Sequence, residues 1–431
     1  MTSTEPAAAP GAADDQQDAS DQPVDRRRRP RWQRVLIVLG ILLVVFAGAL
    51  YGGYRYLLTT EYGTFFTLFA DDHRVENYRS MDELFPSESI AASADVWLFE
   101  REDRPLPETY TFDGEERRVD EFLERTETTG LLVARDDTIL YEDYFLGNDA
   151  QSRATSWSVS KSVVSALVGI AIEEGHLGSV DDAVISYVPE LAGSGYQDTT
   201  VRDLLTMSSG VDFDENYDAT FADVNMIFLR AFAFREPMLD YYARLESIRE
   251  PGTFNAYASS DTGVLAVVLA RATGESVSSY AQSRLWEPAG MEGDASWSTD
   301  RAGAEIGFCC LNAQLRDYAR FGRLYLNDGA RDGRQIVPQE WVERSVTPEA
   351  PHLQPGDNPN SDWTFGYGYQ WWIPEDPRPG EFTAIGVWGQ YIYVDATRGM
   401  VIVKSSTDYW FDENDHETIE VFRAMVDEMA S

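Results

Sequence analysis

A serine and a lysine stand at a spacing that suits nucleophilic catalysis in the stretch TSWSVSKSVVSALVGIAIEEG, residues 155–175. Ser158 and Lys161 are three positions apart, so on the first turn of a helix their side chains share one face and lie within hydrogen-bond reach. A serine hydroxyl needs a base to become a nucleophile, and a neutral lysine amine can be that base. Keeping the amine neutral at pH 7 costs about 4.6 kcal/mol, which burial and neighbouring charge must supply.

Lysine is rare in this chain, and this makes its position informative. Lysine and arginine total 35 residues, of which only Lys161 and Lys404 are lysines. Arginine keeps its proton in proteins and cannot act as a base. S-x-x-K tetrads also arise by chance in long sequences, so the spacing alone is weak evidence. The position of Lys161 at the start of an apolar helical run favours the functional interpretation.

The composition is that of a folded, strongly acidic protein. Of 431 residues 73 are Asp or Glu, and the formal net charge is −38. Nucleic acid repels such a surface, which excludes a nucleic-acid partner. We interpret the charge as a solvated acidic shell, as in proteins from salty or high-GC organisms, and such a shell says little about an active site.

The cysteines and histidines are not spaced as metal ligands. Cys309 and Cys310 are adjacent, and because neighbouring cysteines bridge only with strain, we expect two buried thiols. The four histidines are scattered along the chain: His73, His176, His352 and His416. We therefore predict no metal site and no other cofactor, and the sequence has no obvious signature of a Ser-His-Asp triad.

The first 125 residues divide into three parts. Residues 1–34 are rich in Ala, Pro, Asp and Gln and end in the basic cluster RRRRPRWQR, so we expect a disordered cytoplasmic tail. Residues 35–54 carry no charge and are long enough for a transmembrane helix. The arginines before this helix place the N-terminus in the cytoplasm and the rest of the chain outside the cell. Residues 55–125 form a charged lead-in with short elements.

The apolar segment has two other interpretations. One is a buried core helix. This is not favoured, because the segment is apolar on all sides and follows a tail that we expect to be disordered. The other is a cleaved signal peptide, because Ala47-Gly48-Ala49 resembles a small-residue cleavage site. The long basic region before the segment and the apolar run after that site favour an uncleaved anchor. We therefore expect a single-pass protein of the cell membrane with an extracellular catalytic domain.

The pattern from residue 126 to residue 431 predicts one α+β domain. TGLLVARDDTILYEDYFLG reads as a hairpin across residues 135–137, and several helices follow. One of these helices opens with Thr200 and Asp203 at capping-box spacing, and another has Ser260 as N-cap and Gly274 as its stop. Four strands come late, in YGYQWWI, FTAIGVWG, QYIYVDA and MVIVKSS, before a last helix from about residue 415 to residue 429. The order predicts an antiparallel sheet built from both ends of the domain, flanked by helices, with a mostly helical second lobe.

The stretch SWSVSKSVVSALVGIAIEEGHLGSVDDAVISYVPEL resembles the first motif of the serine β-lactamase and penicillin-binding-protein superfamily, class C type. Within it the chain is most similar to the branch of esterases and 6-aminohexanoate-dimer (nylon-oligomer) hydrolases. The likeness continues, in order, through VRDLLTMSSGVDF, YASSDTGVLAVVLARATGES, GFCCLNAQLRDYARFGRLYLNDG and GVWGQYIYVD. It implies a β-lactamase-like fold and a hydrolase that forms an acyl-enzyme on Ser158 with Lys161 as base.

The second motif of the superfamily matches Tyr257-Ala258-Ser259, a variant that resembles the nylon-oligomer branch. The resemblance implies that Tyr257 relays the proton between Ser158, Lys161 and the leaving group, and that Ser259 belongs to the substrate-binding set. For Tyr257 to act as a base, the charge of the lysine must lower the pKa of the phenol. Without the resemblance, Tyr257 reads as an aromatic residue at a loop-to-helix junction.

The third motif aligns with Ala384-Ile385-Gly386, which keeps the glycine and lacks the polar pair. The resemblance implies an oxyanion hole made by the N–H groups of Ser158 and Val387, with Gly386 letting substrate approach the strand edge. An ordinary core strand with a glycine at a bend is the alternative. Tyr217 resembles a substrate-contacting tyrosine, although a surface-loop tyrosine fits its context equally well.

Together these residues predict a serine hydrolase that acts on a small-molecule ester or amide. Because Ala384 replaces the group that helps to hold a substrate carboxylate, we expect weak or no activity as a β-lactamase or a D-Ala-D-Ala carboxypeptidase. Those two activities remain alternatives. Another is a non-catalytic, membrane-anchored binding or sensor protein, against which the intact Ser, Lys and Tyr set argues.

Overall fold

The computed structural model describes residues 31–59, 67–234 and 236–430. The chain divides into two compact units, residues 1–56 and residues 57–431. The expected disordered tail lies outside the described residues except for its last four positions.

The first unit is built on the helix α1, Arg31–Thr59. Its segment Val35–Tyr56 has a mean hydropathy of 2.7, and its apolar side chains are exposed. This segment is long and apolar enough to cross a membrane, and a signal sequence has the same length and composition.

The second unit contains the strands and the remaining helices. The strands are β1 Ser87–Ile90, β2 Glu100–Arg101, β3 Thr109–Phe112, β4 Glu115–Arg118, β5 Thr128–Arg135, β6 Thr138–Tyr144, β7 Arg153–Thr155, β8 Ala295–Ser298, β9 Leu311–Gln314, β10 Ala330–Arg331, β11 Arg334–Gln335, β12 Gly366–Tyr367, β13 Trp372–Ile373, β14 Glu381–Gly386, β15 Gln390–Asp395 and β16 Met400–Ser406. The helices are α2 Arg74–Arg79, α3 Met81–Leu84, α4 Val119–Arg125, α5 Val159–Glu173, α6 Val201–Leu205, α7 Asp223–Ala233, α8 Met238–Tyr242, α9 Ser259–Thr273, α10 Val277–Ala281, α11 Leu315–Leu326, α12 Gln339–Ser345 and α13 Phe411–Met429. Short 3₁₀ turns cover Val184–Ser186, Pro189–Leu191 and Pro351–Leu353, and a π-helical turn covers Gln282–Trp286.

The main sheet joins the early hairpin to the late strands, in the order β12-β13-β14-β15-β16-β5-β6-β2. The hairpin β5–β6 turns at Asp136, which has a left-handed φ of +52°. Strand β16 lies antiparallel to β5, with Met400 opposite Arg135. Only the short edge strand β2 pairs in parallel within this sheet. The predicted antiparallel sheet built from both ends of the domain is thereby confirmed.

Helices cover both faces of this sheet because its strands alternate apolar side chains between two cores. One face, which includes Ala384 and Val403, packs with α5 and α11. The other face, which includes Tyr391 and Ile402, packs with α13. Helix α11 approaches the sheet closely at Gly322, where an added Cβ would lie 2.7 Å from the side chain of Val401.

In the mostly helical part of the domain, helices α9 and α12 pack against α5. A capping box at Thr200 and Asp203 opens α6, as the spacing predicts. Gly274, with a φ of +71°, ends α9, whereas the N-cap is Ala258 and not Ser260. Two further boundaries differ from the prediction. The expected strand YGYQWWI is split into β12 and β13 by a turn with Gln370 at a φ of +63°, and α13 begins at Phe411.

The expectation of two free thiols is wrong. Cys309 and Cys310 form a disulfide between adjacent residues. Cys310 adopts a left-handed φ of +69°, and this local turn lets the two side chains meet. Both residues are buried just before β9.

Candidate active site

The backbone before α5 turns sharply and presents Ser158 at the N-terminus of that helix. Strand β7 ends at Thr155, and the N–H of Ser156 then donates to the carbonyl of Leu311 at 2.7 Å. Trp157 follows with a left-handed φ of +41°, which is uncommon for a residue with a side chain. The indole of Trp157 packs edge-on against Tyr78, with ring centroids 5.1 Å apart. The packed indole holds the turn in place, and Ser158 comes next.

Lys161 lies one turn into α5 with its amine against the hydroxyl of Ser158. Lys161 Nζ is 2.7 Å from Ser158 Oγ, 3.2 Å from Ser259 Oγ and 2.9 Å from the carbonyl oxygen of Phe308. The side chain is 1% exposed, whereas Ser158 is 7% exposed and reaches the wall of a cavity. Burial lowers the pKa of Lys161 from its usual value to about 7, although the charge of Glu215 opposes this change. A large share of the amine is therefore neutral at physiological pH.

Tyr257 lies in the segment before α9 and completes the expected trio. Its ring centroid is 4.9 Å from Lys161 Nζ, and the side chain of Ser158 acts to lower the pKa of its phenol. The ring stacks on Trp372 with centroids 5.4 Å apart. Burial, and then the negative charge of Glu215, raises the pKa of Tyr257 well above its usual value. The lowered pKa that Tyr257 would need to act as a base is not present, because desolvation of the phenol has the largest effect. The phenol of Tyr257 therefore keeps its proton at neutral pH.

Glu215 is the functional candidate that the sequence did not reveal. Its carboxylate accepts hydrogen bonds from Ser259 Oγ at 2.5 Å, from Ser259 N at 2.8 Å and from the phenol of Tyr217 at 2.6 Å. Ser259 is buried behind Lys161 and does not line the cavity, in contrast to its expected contact with substrate. Tyr217 does line the cavity. The sequence signal was only that Glu215 stands two residues before Tyr217 in an acidic loop.

The end of β14 lies beside the N-terminus of α5. A Cβ added to Gly386 would lie 2.7 Å from the carbonyl oxygen of Ser156 and 3.1 Å from the amide nitrogen of Ser158. Only glycine permits this approach, which brings Val387 to the cavity wall. Within the aligned third motif, Ile385 faces the cavity and Ala384 packs into the core on the other face of the sheet.

The cavity next to Ser158 has a volume of about 1030 Å³ and is lined by acidic and aromatic side chains. Its eight carboxylates are Asp212, Asp214, Glu215, Asp218, Asp362, Asp412, Glu413 and Asp415. Its aromatic lining is Phe69, Phe213, Tyr217, Tyr257, Trp363, Phe365, Trp372, Trp388, Tyr409, Trp410 and Phe411. Among the described residues of this lining, Arg249 is the one arginine and there is no lysine. Such a wall attracts cations and apolar groups and repels carboxylates.

No group of three His, Cys, Asp or Glu side chains in the part of the chain described by the structure is arranged to hold a metal ion.

The chain is similar in sequence to known proteins. The sequence profile of the β-lactamase family matches residues 116–421. The chain belongs to the β-lactamase family. Among curated members of the family, the 6-aminohexanoate-dimer hydrolase of Paenarthrobacter ureafaciens is 31% identical over 325 residues, which cover 71% of this chain and 81% of that protein.

Solved structures of the β-lactamase family share the fold. The "putative 6-aminohexanoate-dimer hydrolase" from Bacillus anthracis superposes with a TM-score of 0.75 at 24% identity, over 84% of this chain and 95% of that one. A class C β-lactamase superposes with a TM-score of 0.54 at 16% identity, over 72% of this chain and 94% of that one. The β-lactamase-like fold expected from the sequence is confirmed.

Proposed function

We propose that this chain is a serine hydrolase that cleaves an ester or amide bond through an acyl-enzyme on Ser158. The observation that carries the proposal is the 2.7 Å contact between Lys161 Nζ and Ser158 Oγ at the wall of a cavity. A buried amine with a pKa of about 7 can accept the serine proton near neutral pH, which a solvent-exposed lysine cannot. Family membership supports the same chemistry.

In the first step Ser158 Oγ attacks the substrate carbonyl carbon while Lys161 takes the hydroxyl proton. The negative charge on the carbonyl oxygen is stabilised by the N–H groups of Ser158 and Val387. As the bond to the leaving group breaks, Tyr257 donates its proton to the departing oxygen or nitrogen and is reprotonated from Lys161. In the second step water gives a proton to Lys161 and attacks the acyl carbon. As the bond from the acyl carbon to Ser158 Oγ breaks, Lys161 returns that proton to Ser158 Oγ, the acid leaves, and the hydroxyl and the neutral amine are restored.

The cavity lining supports a substrate that combines an apolar chain with a positive charge. Aromatic rings next to carboxylates favour cationic and apolar groups over anionic ones. The name of the Paenarthrobacter ureafaciens relative gives its substrate as a dimer of 6-aminohexanoate. Because the lining is acidic, we place short amides and esters of amino-terminated chains ahead of carboxylate-bearing β-lactams as substrates of this chain.

For α1 we propose an uncleaved membrane anchor that leaves residues 57–431 outside the cell. The uncharged residues 35–54 within the apolar segment and the arginines before them support this orientation. Mass spectrometry of the protein purified from membranes tests the proposal. An intact N-terminal segment is expected, and a mature chain that starts at Leu50 would contradict the anchor.

Activity-based labelling tests the hydrolase proposal. Full-length protein in detergent is treated with a fluorophosphonate probe, and the labelled peptide is identified by mass spectrometry. We expect labelling of wild type at Ser158 and none in Ser158→Ala. The matched control is Ser160→Ala, the same change two residues along α5, where the hydroxyl donates to the carbonyl of Gly307. Absence of a Ser158 adduct in folded wild-type protein would refute the proposal.

A further inference from the structure

The hydrogen bonds around Lys161 form a chain whose far end is a carboxylate. Lys161 contacts Ser259 Oγ, and Ser259 donates both its hydroxyl and its backbone N–H to Glu215. Tyr217 donates its phenol to the same carboxylate from the side of the cavity. None of the three sequence motifs includes Glu215.

The carboxylate of Glu215 fixes which atom donates in each hydrogen bond between Glu215, Ser259 and Lys161. An ionised carboxylate only accepts, so the single hydroxyl proton of Ser259 must point to Glu215. Ser259 Oγ then offers only lone pairs to Lys161 and accepts an amine proton. The carbonyl of Phe308, 2.9 Å from Lys161 Nζ, can also only accept.

This arrangement determines where the lone pair of the neutral amine points. A neutral lysine has two N–H bonds and one lone pair. The two N–H bonds are directed to Ser259 Oγ and to the carbonyl of Phe308, so the remaining direction, toward Ser158 Oγ, holds the lone pair. Without the carboxylate, Ser259 could rotate its proton toward the amine and compete with Ser158 for the lone pair.

We propose that Glu215 is a positioning residue that acts through Ser259 to aim the lone pair of Lys161 at the Ser158 hydroxyl. The inference rests on the proposed function of Ser158 and Lys161 and extends it to a residue outside the trio. Glu215 also acts on Lys161 as a charge, because it favours the protonated amine. Of the nearby phenols, that of Tyr257 lies with its ring centroid 4.9 Å from the amine, and that of Tyr217 donates to the carboxylate of Glu215.

The rate of fluorophosphonate labelling measures the transfer of the Ser158 proton to Lys161 during nucleophilic attack, and it can be measured without knowing the natural substrate. In that reaction Ser158 Oγ bonds to phosphorus, fluoride leaves, and the hydroxyl proton passes to Lys161. We expect Glu215→Gln to slow labelling at pH 8 by about 10- to 100-fold, because the amine is no longer held with its lone pair toward the nucleophile. We also expect the midpoint of the rising pH limb to fall by about half a unit or more, because a negative charge near the amine is lost. The matched control Glu250→Gln changes an exposed carboxylate outside the cavity and should label at the wild-type rate.

A double-variant comparison shows whether Glu215 acts through Ser259. Ser259→Ala should slow labelling to a similar degree, and adding Glu215→Gln to it should slow labelling no further. If the labelling rate of the double variant fell by the product of the two single losses, the proposal would be overturned. It would also be overturned if Glu215→Gln were labelled at the wild-type rate with the same pH midpoint as wild type. Circular dichroism and thermal melting confirm that each variant is folded. The two proposals fail in different ways, since an unlabelled wild type refutes the hydrolase, whereas a labelled wild type with an unaffected Glu215→Gln refutes only the role of Glu215.

Discussion

Replacing Lys161 with arginine keeps a cation beside Ser158 but removes the neutral base. The amine of Lys161 is 1% exposed and makes three short polar contacts, and its pKa of about 7 leaves it about 90% neutral at pH 8. A guanidinium with a pKa above about 12 is neutral in fewer than about one molecule in ten thousand at the same pH. If the rate follows the neutral base, the loss exceeds about a thousandfold.

The measured loss will be set by the catalysis that remains without a base. Removing a general base typically costs about 10²- to 10⁴-fold, and binding and the oxyanion hole contribute the rest. We therefore expect Lys161→Arg to lower both Ser158 labelling and hydrolysis of p-nitrophenyl esters at pH 8 by at least about a hundredfold.

The chain supplies its own control for this substitution. Lys404 is the other lysine, is also 1% exposed, and lies against the rings of Phe122 and Tyr391 on the α13 side of the sheet. Lys404→Arg imposes a similar packing cost away from Ser158, and we expect it to retain activity within about threefold once its fold is verified by thermal melting. A Lys161→Arg enzyme with more than a tenth of wild-type activity would refute the reasoning, and so would an equal loss in both variants.

Three further predictions concern the phenol, the cavity and the core. Tyr257→Phe should lower kcat for amide substrates by about a hundredfold or more, because the leaving nitrogen loses its proton donor, and comparison of kcat between an amide and an activated ester checks this. Nitrocefin should be turned over far more slowly than a p-nitrophenyl ester of an amino-terminated acid, since the cavity wall is acidic; turnover matching that of a dedicated β-lactamase would contradict the substrate proposal. Gly169→Ala should lower the free energy of unfolding by about 1–3 kcal/mol in urea titrations, because the added Cβ would lie 2.4 Å from the ring of Trp341, and an unchanged midpoint would show that the core relaxes.

The parts of this protein that sequence reasoning captured are those set by local periodicity. The Ser158–Lys161 contact follows from helical spacing, and the sheet follows from apolar alternation at both ends of the domain. The capping box at Thr200 is an equally local signal. Each of these depends on residues within one or two turns or strands.

The parts that it missed depend on packing between distant segments. Glu215 is one of several carboxylates in its loop, and its selection depends on Ser259, 44 residues further along the chain. The direction of the pKa change at Tyr257 could not be predicted, because it is set by burial of the phenol, which the sequence does not reveal. The disulfide was missed because its turn needs a left-handed Cys310, a backbone state that spacing does not predict.

The pH dependence of Ser158 acylation tests most directly whether Lys161 is a neutral base. Fluorophosphonate labelling of the full-length wild type would be followed from pH 5 to pH 10. Because the amine must lose its proton to act, the rate should rise with pH through a midpoint near 7 and then stay level, since Tyr257 keeps its proton across this range. A rate that is flat across the range, or one that is still rising at pH 10 without levelling off, as expected for an ordinary lysine with a pKa of about 10.4, would contradict the account.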